Sequence, residues 1–254
     1  MGLKNKQVLM MLAIELLLLL AVINGSFSYA IAPAIDDHLP IVLIHGYAQD
    51  YTVWNTWVRW LEKDNFSNIY PIRFQHDDDC GSAQQHASEL RDIIDSISKA
   101  TGHEQVNIVA HSKGGLDARG YLATGTHKVA NLIMIGTPNA GSMAAYWDAT
   151  SCLGAADDLF PGSQATLVKN HPENTNYLTI AGNWLPDIWC PSPVGIIPDG
   201  GNCLIYGEDD GLVAVKSVMS SPEYMPLGEF PYDHFNLLRQ RDVYETALTV
   251  LDRQ

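Results

Sequence analysis

Short apolar runs alternate with longer, helix-length segments along most of this chain, and this alternation limits the possible folds more than any other feature. Five runs share an apolar character and flanking Gly, Pro, Asn or His: 41–44, 69–74, 106–110, 132–135 and 177–180. Such runs are typical of strands buried on both faces of a parallel sheet. Strands that alternate with helices predict an α/β fold, with a mostly parallel sheet covered by helices on both faces.

Three segments carry clear helical signals. The segment 82–100 begins with a capping box of Ser82 and Gln85, repeats apolar side chains along one stripe, and stops before Gly102. Three tryptophans recur at every third residue of an earlier segment and are predicted to pack on the sheet: Trp54, Trp57 and Trp60. The final segment repeats apolar side chains on one helical face: Leu237, Tyr244, Leu248 and Leu251.

The composition fits one compact domain. The chain has 254 residues, of which 46% are hydrophobic and 17% charged, and this balance excludes disordered and low-complexity chains. Its formal net charge is −14, with no basic run. Because such a chain repels phosphate backbones, we expect no nucleic-acid partner. A single domain is predicted over 31–254, and the oligomeric state is left open.

The first thirty residues are predicted to lie outside this domain. Lys4 and Lys6 precede an apolar stretch over 8–23, and small residues follow at 28 and 30, spaced as a signal peptidase reads them. A membrane span needs ~20 apolar residues, so this stretch is short for one. We expect a signal peptide over 1–30 and a secreted protein, with a retained membrane anchor as the alternative.

Four cysteines are predicted to form two disulfides, because an even count is typical of disulfide bonding in exported chains. Cys190 and Cys203 bracket a loop rich in Pro and Gly and are the favoured local pair. Cys80 and Cys152 would then form the second bond. Other connectivities stay open, and four free thiols are the alternative if the chain is not exported.

The strongest chemical signal lies where the apolar run 106–110 leads directly into Ala110-His-Ser-Lys-Gly114 and a helical segment follows. This small-x-Ser-x-Gly pattern is that of a nucleophile elbow, whose sharp turn has no room for larger side chains beside the serine. The turn places the Ser112 hydroxyl at a helix N-terminus, where backbone N–H groups and the helix dipole favour a developing oxyanion. Ser112 is therefore the predicted nucleophile.

Four pieces of the sequence, together with His234, resemble the α/β-hydrolases, and among them the secreted bacterial-type true lipases. The pieces are 45–47 (His-Gly-Tyr), 110–115, 136–142 (Gly-Thr-Pro-Asn-Ala-Gly-Ser) and 210–213 (Asp-Gly-Leu-Val). They span nearly all of the predicted mature chain in the order of that family. The resemblance implies the α/β-hydrolase fold, a triacylglycerol lipase or carboxylesterase activity, an ester or lipid substrate, and transient contact with a lipid interface.

A serine nucleophile needs a base and an orienting carboxylate, which follow it in the order acid, then histidine in this fold. His234 is the predicted base, because it precedes the final helix, where the resembled family keeps its histidine. The family pattern Asp-x-apolar-Val favours Asp210 over its neighbour Asp209 as the acid. The resemblance also implies that the backbone N–H groups of Tyr47 and Lys113 form the oxyanion hole.

A long segment follows the fourth apolar run, and it is predicted to be a lid or cap inserted at about 139–176. Connections of this length are usually functional in compact domains. A mobile lid over a greasy acyl site and a rigid cap over a small esterase pocket are both consistent with its apolar side chains. A second long segment, 183–208, is rich in Pro and Gly and is interpreted as a loop.

No cofactor is required for this chemistry, although some of the resembled lipases bind a structural calcium ion. Asn236, two residues after His234, would be a neutral and weaker ligand than the aspartate of those lipases. Asp187 or Asp199 could supply a second oxygen, so calcium is left open. Three consecutive acids at 77–79 are interpreted as a solvated loop.

Other functions would use the same three residues. A lactonase, a phospholipase or a deacylase of lipid anchors would need the same triad, and substrate choice would depend on the cap. A non-catalytic binding protein on a hydrolase scaffold is a further alternative, although such proteins usually lack a triad member. The ammonium group of Lys113, next to the nucleophile, is expected to favour anionic or polar head groups at the mouth of the site.

Overall fold

The structure is a computed structural model that describes residues 37–75, 80–146, 152–163, 165, 172–184, 188–192, 195–199, 205 and 207–252. The chain divides into two compact units, Met1–Ile35 and Asp36–Gln254, and every described residue belongs to the second. The predicted signal peptide or anchor, 1–30, lies outside the described residues. In the described part, no helix combines the length and the apolar character needed to cross a membrane.

A parallel sheet forms the centre of the fold. The described residues contain eight strands: β1 (Ile41–Ile44), β2 (Ile69–Pro71), β3 (Val106–His111), β4 (Val129–Ile135), β5 (Asn176–Gly182), β6 (Ile188–Ser192), β7 (Gly195–Asp199) and β8 (Met225–Phe230). Six of them pair in parallel in the spatial order β2-β1-β3-β4-β5-β8. Strands β6 and β7 form a separate antiparallel pair. The predicted α/β architecture with a mostly parallel sheet is therefore confirmed.

Helices cover both faces of this sheet. Within the described residues they are α1 (Asn55–Lys63), α2 (Ala83–Thr101), α3 (Lys113–Leu122), α4 (Leu153–Leu159), α5 (Val215–Val218) and α6 (Arg241–Leu251). Short 3₁₀ turns lie at Tyr51–Trp54, Met143–Tyr146 and Asn236–Arg239. Buried side chains of α2 and α3 pack on one face of the sheet, and those of α1 and α6 pack on the other.

Each central strand contributes to two cores, because successive side chains along a strand point to opposite faces. Val42 and Ile44 of β1 belong to the core under α2 and α3, whereas Ile41 and Leu43 belong to the core under α1 and α6. Burial on both faces explains why these strands are continuous apolar runs. The predicted packing of tryptophan on the sheet is confirmed for Trp54 and Trp57, which are fully buried in the second core.

Helix α2 begins and ends where the sequence predicts. The Ser82 hydroxyl accepts a hydrogen bond from the Gln85 N–H at 3.3 Å, and the Gln85 side-chain oxygen accepts one from the Ser82 N–H at 2.8 Å. This reciprocal pair satisfies two donors that a helix start leaves without intrahelical acceptors. Gly102 ends the helix with φ 79°, a left-handed conformation that costs glycine little.

The sequence analysis missed three strands. Strand β8 contains Pro226 and Gly228, which are disfavoured inside strands, and its residues are only partly buried, so it shows neither alternation nor an apolar run. Strands β6 and β7 each contain a proline and lie within 183–208, which was interpreted as a loop. Strand β2 is also shorter than predicted, since it ends at Pro71.

The capping box of α2 provides a test of this local structure. We expect Ser82→Ala to lower the free energy of unfolding by about 1 kcal/mol, because the N–H of Gln85 loses its acceptor. Ser96→Ala is the control, since the exposed Ser96 hydroxyl only bonds back to the Asp92 carbonyl within the helix. Its effect should stay within about 0.5 kcal/mol in urea titrations of both variants. Equal losses in the two variants would contradict the capping role.

Candidate active site

Ser112 lies at the sharp turn between β3 and α3. Its backbone has φ 53° and ψ −128°, a conformation that residues with a side chain rarely adopt. The Ser112 N–H donates to the Ile135 carbonyl at 2.9 Å, and the Ser112 carbonyl accepts from the Gly115 N–H at 3.1 Å. A strained serine between a strand and a helix is the geometry that the predicted nucleophile elbow requires.

Close packing around this turn explains its small residues. A Cβ atom on Gly114 would lie 2.4 Å from the carbonyl oxygen of His45. A Cβ atom on Gly115 would lie 2.2 Å from the hydroxyl of Thr137. Any side chain at these positions would therefore push the start of α3 away from the ends of β1 and β4.

Asp210 and His234 are in direct contact. The Nδ1 atom of His234 lies 2.7 Å from the Oδ2 atom of Asp210, and both side chains are buried. The second carboxylate oxygen accepts hydrogen bonds from the N–H groups of Leu212 at 3.0 Å and Val213 at 2.7 Å. These bonds aim the carboxylate at the imidazole ring.

The neighbouring acid has a different partner. The Oδ1 atom of Asp209 accepts a hydrogen bond from the N–H of Gly211 at 2.6 Å. Asp210 is thus the carboxylate of this loop that contacts His234. The contact leaves little space around it, because a Cβ atom on Gly136 would lie 3.2 Å from both Asp210 Oδ2 and His234 Nδ1.

A second histidine, which the sequence analysis assigned no role, joins two loops of the site. The Nε2 atom of His111 lies 2.9 Å from the carbonyl oxygen of His234, and its Nδ1 atom lies 3.0 Å from Oε1 of Gln49. The same Gln49 oxygen accepts the N–H of Gly46 at 2.9 Å. Burial, followed by the nearby His234, lowers the pKa of His111 well below its usual value. The sequence signal that could have identified His111 was its position directly before Ser112.

Ser112 and His234 line one pocket with a volume of about 330 Å³. This volume is near the lower end of the ~300–1,000 Å³ typical of small-molecule sites. Most of the other lining side chains are apolar: Ala48, Pro138, Ala144, Ala145, Ala156, Leu159, Leu212, Val213 and Phe235. The pocket can therefore hold an uncharged chain next to a polar end formed by the serine and the histidine.

The two residues predicted to bind an oxyanion lie beside this serine. Tyr47 lines the pocket, and the next residue, Ala48, has φ 53°, a backbone conformation that residues with a side chain rarely adopt. Lys113 is the first residue of α3, where an N–H has no acceptor within the helix. The oxyanion-binding role of these two N–H groups stays a prediction.

The side chain of Lys113 does not lie at the mouth of the pocket, so the prediction that its ammonium group acts there is wrong. Only 2% of this side chain is exposed, and its Nζ atom lies 2.5 Å from Oδ1 of Asp117 and 3.8 Å from Oδ2 of Asp158. The other oxygen of Asp117 lies 3.0 Å from Nδ1 of His86, whose ring stacks on Phe74. The ammonium group therefore belongs to a buried ion network of Lys113, Asp117, Asp158 and His86.

The two carboxyl groups of this network respond differently to their surroundings. Burial alone would raise the pKa of Asp117, but Lys113 and His86 together hold that pKa below its usual value. The ionised form of Asp117 therefore stabilises the fold at neutral pH, and this contribution is lost as the pH falls through the lowered pKa. Burial prevails at Asp158 and raises its pKa, although Lys113 acts in the opposite direction.

Part of the predicted lid or cap segment, 139–176, lines the pocket. Ala144 and Ala145 belong to the 3₁₀ turn Met143–Tyr146, and Ala156 and Leu159 belong to α4. The described part of this segment thus supplies one apolar wall of the pocket.

One predicted disulfide is confirmed, between Cys80 and Cys152 at the start of α4. The pair predicted between Cys190 and Cys203 cannot be compared, because Cys203 and the side chain of Cys190 lie outside the described residues.

Of the residues considered for calcium, the structure describes the side chain of Asn236. The Asn236 amide donates to Oδ2 of Asp233 at 2.5 Å, and its backbone N–H donates to Oδ1 of the same residue at 3.0 Å. Asp187, the acids at 77–79 and the side chain of Asp199 lie outside the described residues. In the described part of the chain, no three His, Cys, Asp or Glu side chains are grouped to hold a metal ion.

Comparisons with known proteins match parts of this chain to lipases and to a thioesterase. Residues 38–152 match the family described as lipase (class 2). The chain is 29% identical over 127 residues to the lysosomal thioesterase PPT2-B of Xenopus laevis. The aligned residues make up 49% of this chain and 41% of that protein. It is 32% identical over 111 residues to a triacylglycerol lipase of Pseudarthrobacter phenanthrenivorans. This alignment makes up 41% of this chain and 34% of the lipase.

A solved structure extends the likeness to most of the fold. The mature lipase BlEst2 of Bacillus licheniformis matches with a TM-score of 0.60 and 22% identity, over 84% of this chain and 92% of that one. The two sequence matches described above span less than half of either relative.

The buried ion network leads to a stability prediction. We expect Lys113→Met to lower the free energy of unfolding by about 3 kcal/mol, because Asp117 is left as a buried charge without its closest cation. Lys128→Met is the matched control, since the Lys128–Asp95 pair is 42% and 40% exposed. Its loss should stay below about 1 kcal/mol. Urea titration at pH 7 of both variants measures the difference, and comparable losses would contradict the buried role of Lys113.

Proposed function

We propose that this chain, an α/β-hydrolase related to the lipases and esterases, hydrolyses carboxylic esters through a triad of Ser112, His234 and Asp210. The observation that carries the proposal is the 2.7 Å contact between His234 Nδ1 and Asp210 Oδ2, beside a pocket that Ser112 also lines. A histidine oriented in this way keeps its other ring nitrogen for a substrate-side proton transfer.

The first half of the reaction forms an acyl-enzyme. The Ser112 oxygen bonds to the carbonyl carbon of the ester while Nε2 of His234 takes the hydroxyl proton. Asp210 stays ionised and stabilises the resulting imidazolium. The oxyanion accepts hydrogen bonds from the N–H groups of Tyr47 and Lys113, and His234 then protonates the leaving alkoxide, so that an alcohol departs.

The second half of the reaction releases the acid. His234 takes a proton from a water molecule as the water oxygen attacks the acyl carbon. The bond to the Ser112 oxygen breaks, the serine recovers its proton from His234, and the carboxylic acid leaves. The same two N–H groups stabilise the second oxyanion.

The lining of the pocket supports an uncharged acyl chain as the recognised part of the substrate. Its walls are mainly alanine, leucine, valine and proline side chains, and the buried Lys113 contributes no cation to them. The acyl chain of an aliphatic ester fits this apolar lining, whereas a charged acyl group would lose its hydration without gaining a partner.

Hydrolysis of acyl thioesters is a second candidate activity. The 29% identity over 127 residues to a lysosomal thioesterase favours it. Ser112 would attack a thioester carbonyl by the same steps, with a thiol as the leaving group. Parallel rates on an oxygen ester and a thioester of the same acid distinguish the two activities.

Export of the chain is part of the proposal. The basic start, apolar stretch and small residues of 1–30 support a signal peptide. The Cys80–Cys152 bond adds independent support, because structural disulfides persist mainly in oxidising compartments. Expression of the full chain in a secreting bacterium should release a protein whose first residue, by mass spectrometry, is Ile31. Full-length protein retained in the membrane would instead indicate an anchor.

The triad is tested by kinetics on nitrophenyl esters of short, medium and long acids. We expect Ser112→Ala and Asp210→Asn to lower kcat by about 10⁴-fold or more, since the nucleophile or the orientation of its base is lost.

Asp209→Asn is the matched control for the acid. It should change kcat only a few-fold, because an asparagine oxygen can still accept the Gly211 N–H. Full activity of the Ser112→Ala variant on every ester and thioester would overturn the proposed function. Equal losses at positions 209 and 210 would overturn the assignment of the acid.

A further inference from the structure

The helix that forms one wall of the pocket, α4, is attached to the body of the fold at its start. The Cys80–Cys152 disulfide joins the residue before α4 to the loop that precedes α2. Inside α4, the N–H of Ala155 donates to the carbonyl of Cys80 at 3.1 Å. A covalent bond and a backbone hydrogen bond therefore hold the first turn of α4.

The end of α4 is attached to the same part of the fold. The Oδ2 atom of Asp158 accepts a hydrogen bond from the N–H of Ala83 at 2.5 Å, the first residue of α2. This N–H is one of the donors that a helix start leaves without an intrahelical acceptor. The carbonyl of Leu159 accepts the N–H of Ser142 at 2.8 Å.

The attachment of α4 reaches the helix that begins at the nucleophile. Asp158 lies 3.8 Å from Nζ of Lys113, and its side chain is only 15% exposed. Lys113 in turn contacts Asp117 one turn further along α3. Moving α4 outward would therefore separate Asp158 from both the start of α2 and a buried ammonium group, besides straining a disulfide.

We propose that α4 is a fixed wall of the acyl-binding pocket and that Asp158 is the residue that positions it. The enzyme then acts on dissolved esters whose acyl chain fits a pocket of about 330 Å³, without activation at a lipid interface. This proposal rests on the proposed ester hydrolysis. Interfacial activation requires a lid that moves away from the site when the protein meets lipid. A wall held at both ends offers no such movement.

The first test compares dissolved and emulsified substrate. The rate of the mature protein on tributyrin is measured at concentrations below and above the solubility limit. We expect a continuous saturation curve with no increase where droplets appear. A jump at the solubility limit would overturn the fixed wall and leave ester hydrolysis intact. Failure of a fluorophosphonate to label Ser112 would instead count against the proposed function.

The second test compares three variants of α4, of which only Asp158→Ala is expected to loosen the wall. Asp158→Ala removes the acceptor of the Ala83 N–H, whereas Asp158→Asn keeps an oxygen at that place. Asp157→Ala changes the exposed neighbour and is the matched control. For a nitrophenyl hexanoate we expect Asp158→Ala to raise KM about tenfold, as for the loss of apolar contact in a pocket. The other two variants should stay near the parent protein.

A nitrophenyl acetate separates positioning of the wall from general damage. Its acyl group is too short to need the wall, so Asp158→Ala should affect KM for the acetate far less than for the hexanoate. Hydrogen exchange of the α4 amides should quicken in Asp158→Ala and in the Cys80→Ser/Cys152→Ser double variant. Equal effects of Asp157→Ala and Asp158→Ala, or α4 amides of the parent protein that exchange as fast as an exposed loop, would overturn the proposal.

Discussion

The left-handed backbone of Ser112 is held by close packing between the ends of neighbouring parallel strands. Strain of this kind costs roughly 1–3 kcal/mol and persists only where the surroundings leave no alternative. Here Gly114 contacts the end of β1 and Gly115 contacts Thr137 after β4, at distances that exclude any side chain. The carboxyl ends of parallel strands lie at one edge of a sheet, so Asp210 and His234 reach the same place from loops near β5.

The lowered pKa of His111 suits the protonation proposed for its neighbour, His234. The rings of His111 and His234 lie 4.7 Å apart between centroids. In the proposed mechanism His234 takes a proton, and a charged His111 at this distance would oppose that step. Asp210, whose Oδ2 atom lies 2.7 Å from Nδ1 of His234, supplies the favourable charge. His234 thus contacts a carboxylate that stabilises its proposed imidazolium form, and it lies beside an imidazole whose own protonation is disfavoured.

The sequence predicted those features that depend on neighbouring residues or on a regular pattern. The capping box of α2 and the buried strands are of this kind, and so is the turn at Ser112. The direction of the Lys113 side chain was not predicted, because its partner Asp158 comes from a distant segment. Asp117 stands one helical turn after the lysine and was a usable signal. Strand β8 was missed because an edge strand need not be apolar on either face.

The two strands at the edges of the described sheet share a feature that concerns contact with other copies of the chain. Strand β2 contains Pro71 and strand β8 contains Pro226, and each lacks one backbone N–H. An edge with a missing donor is a poor template for a further strand. Pro71, where β2 ends earlier than predicted, and Pro226, in the strand that was missed, therefore also protect the sheet against strand-to-strand aggregation at high protein concentration.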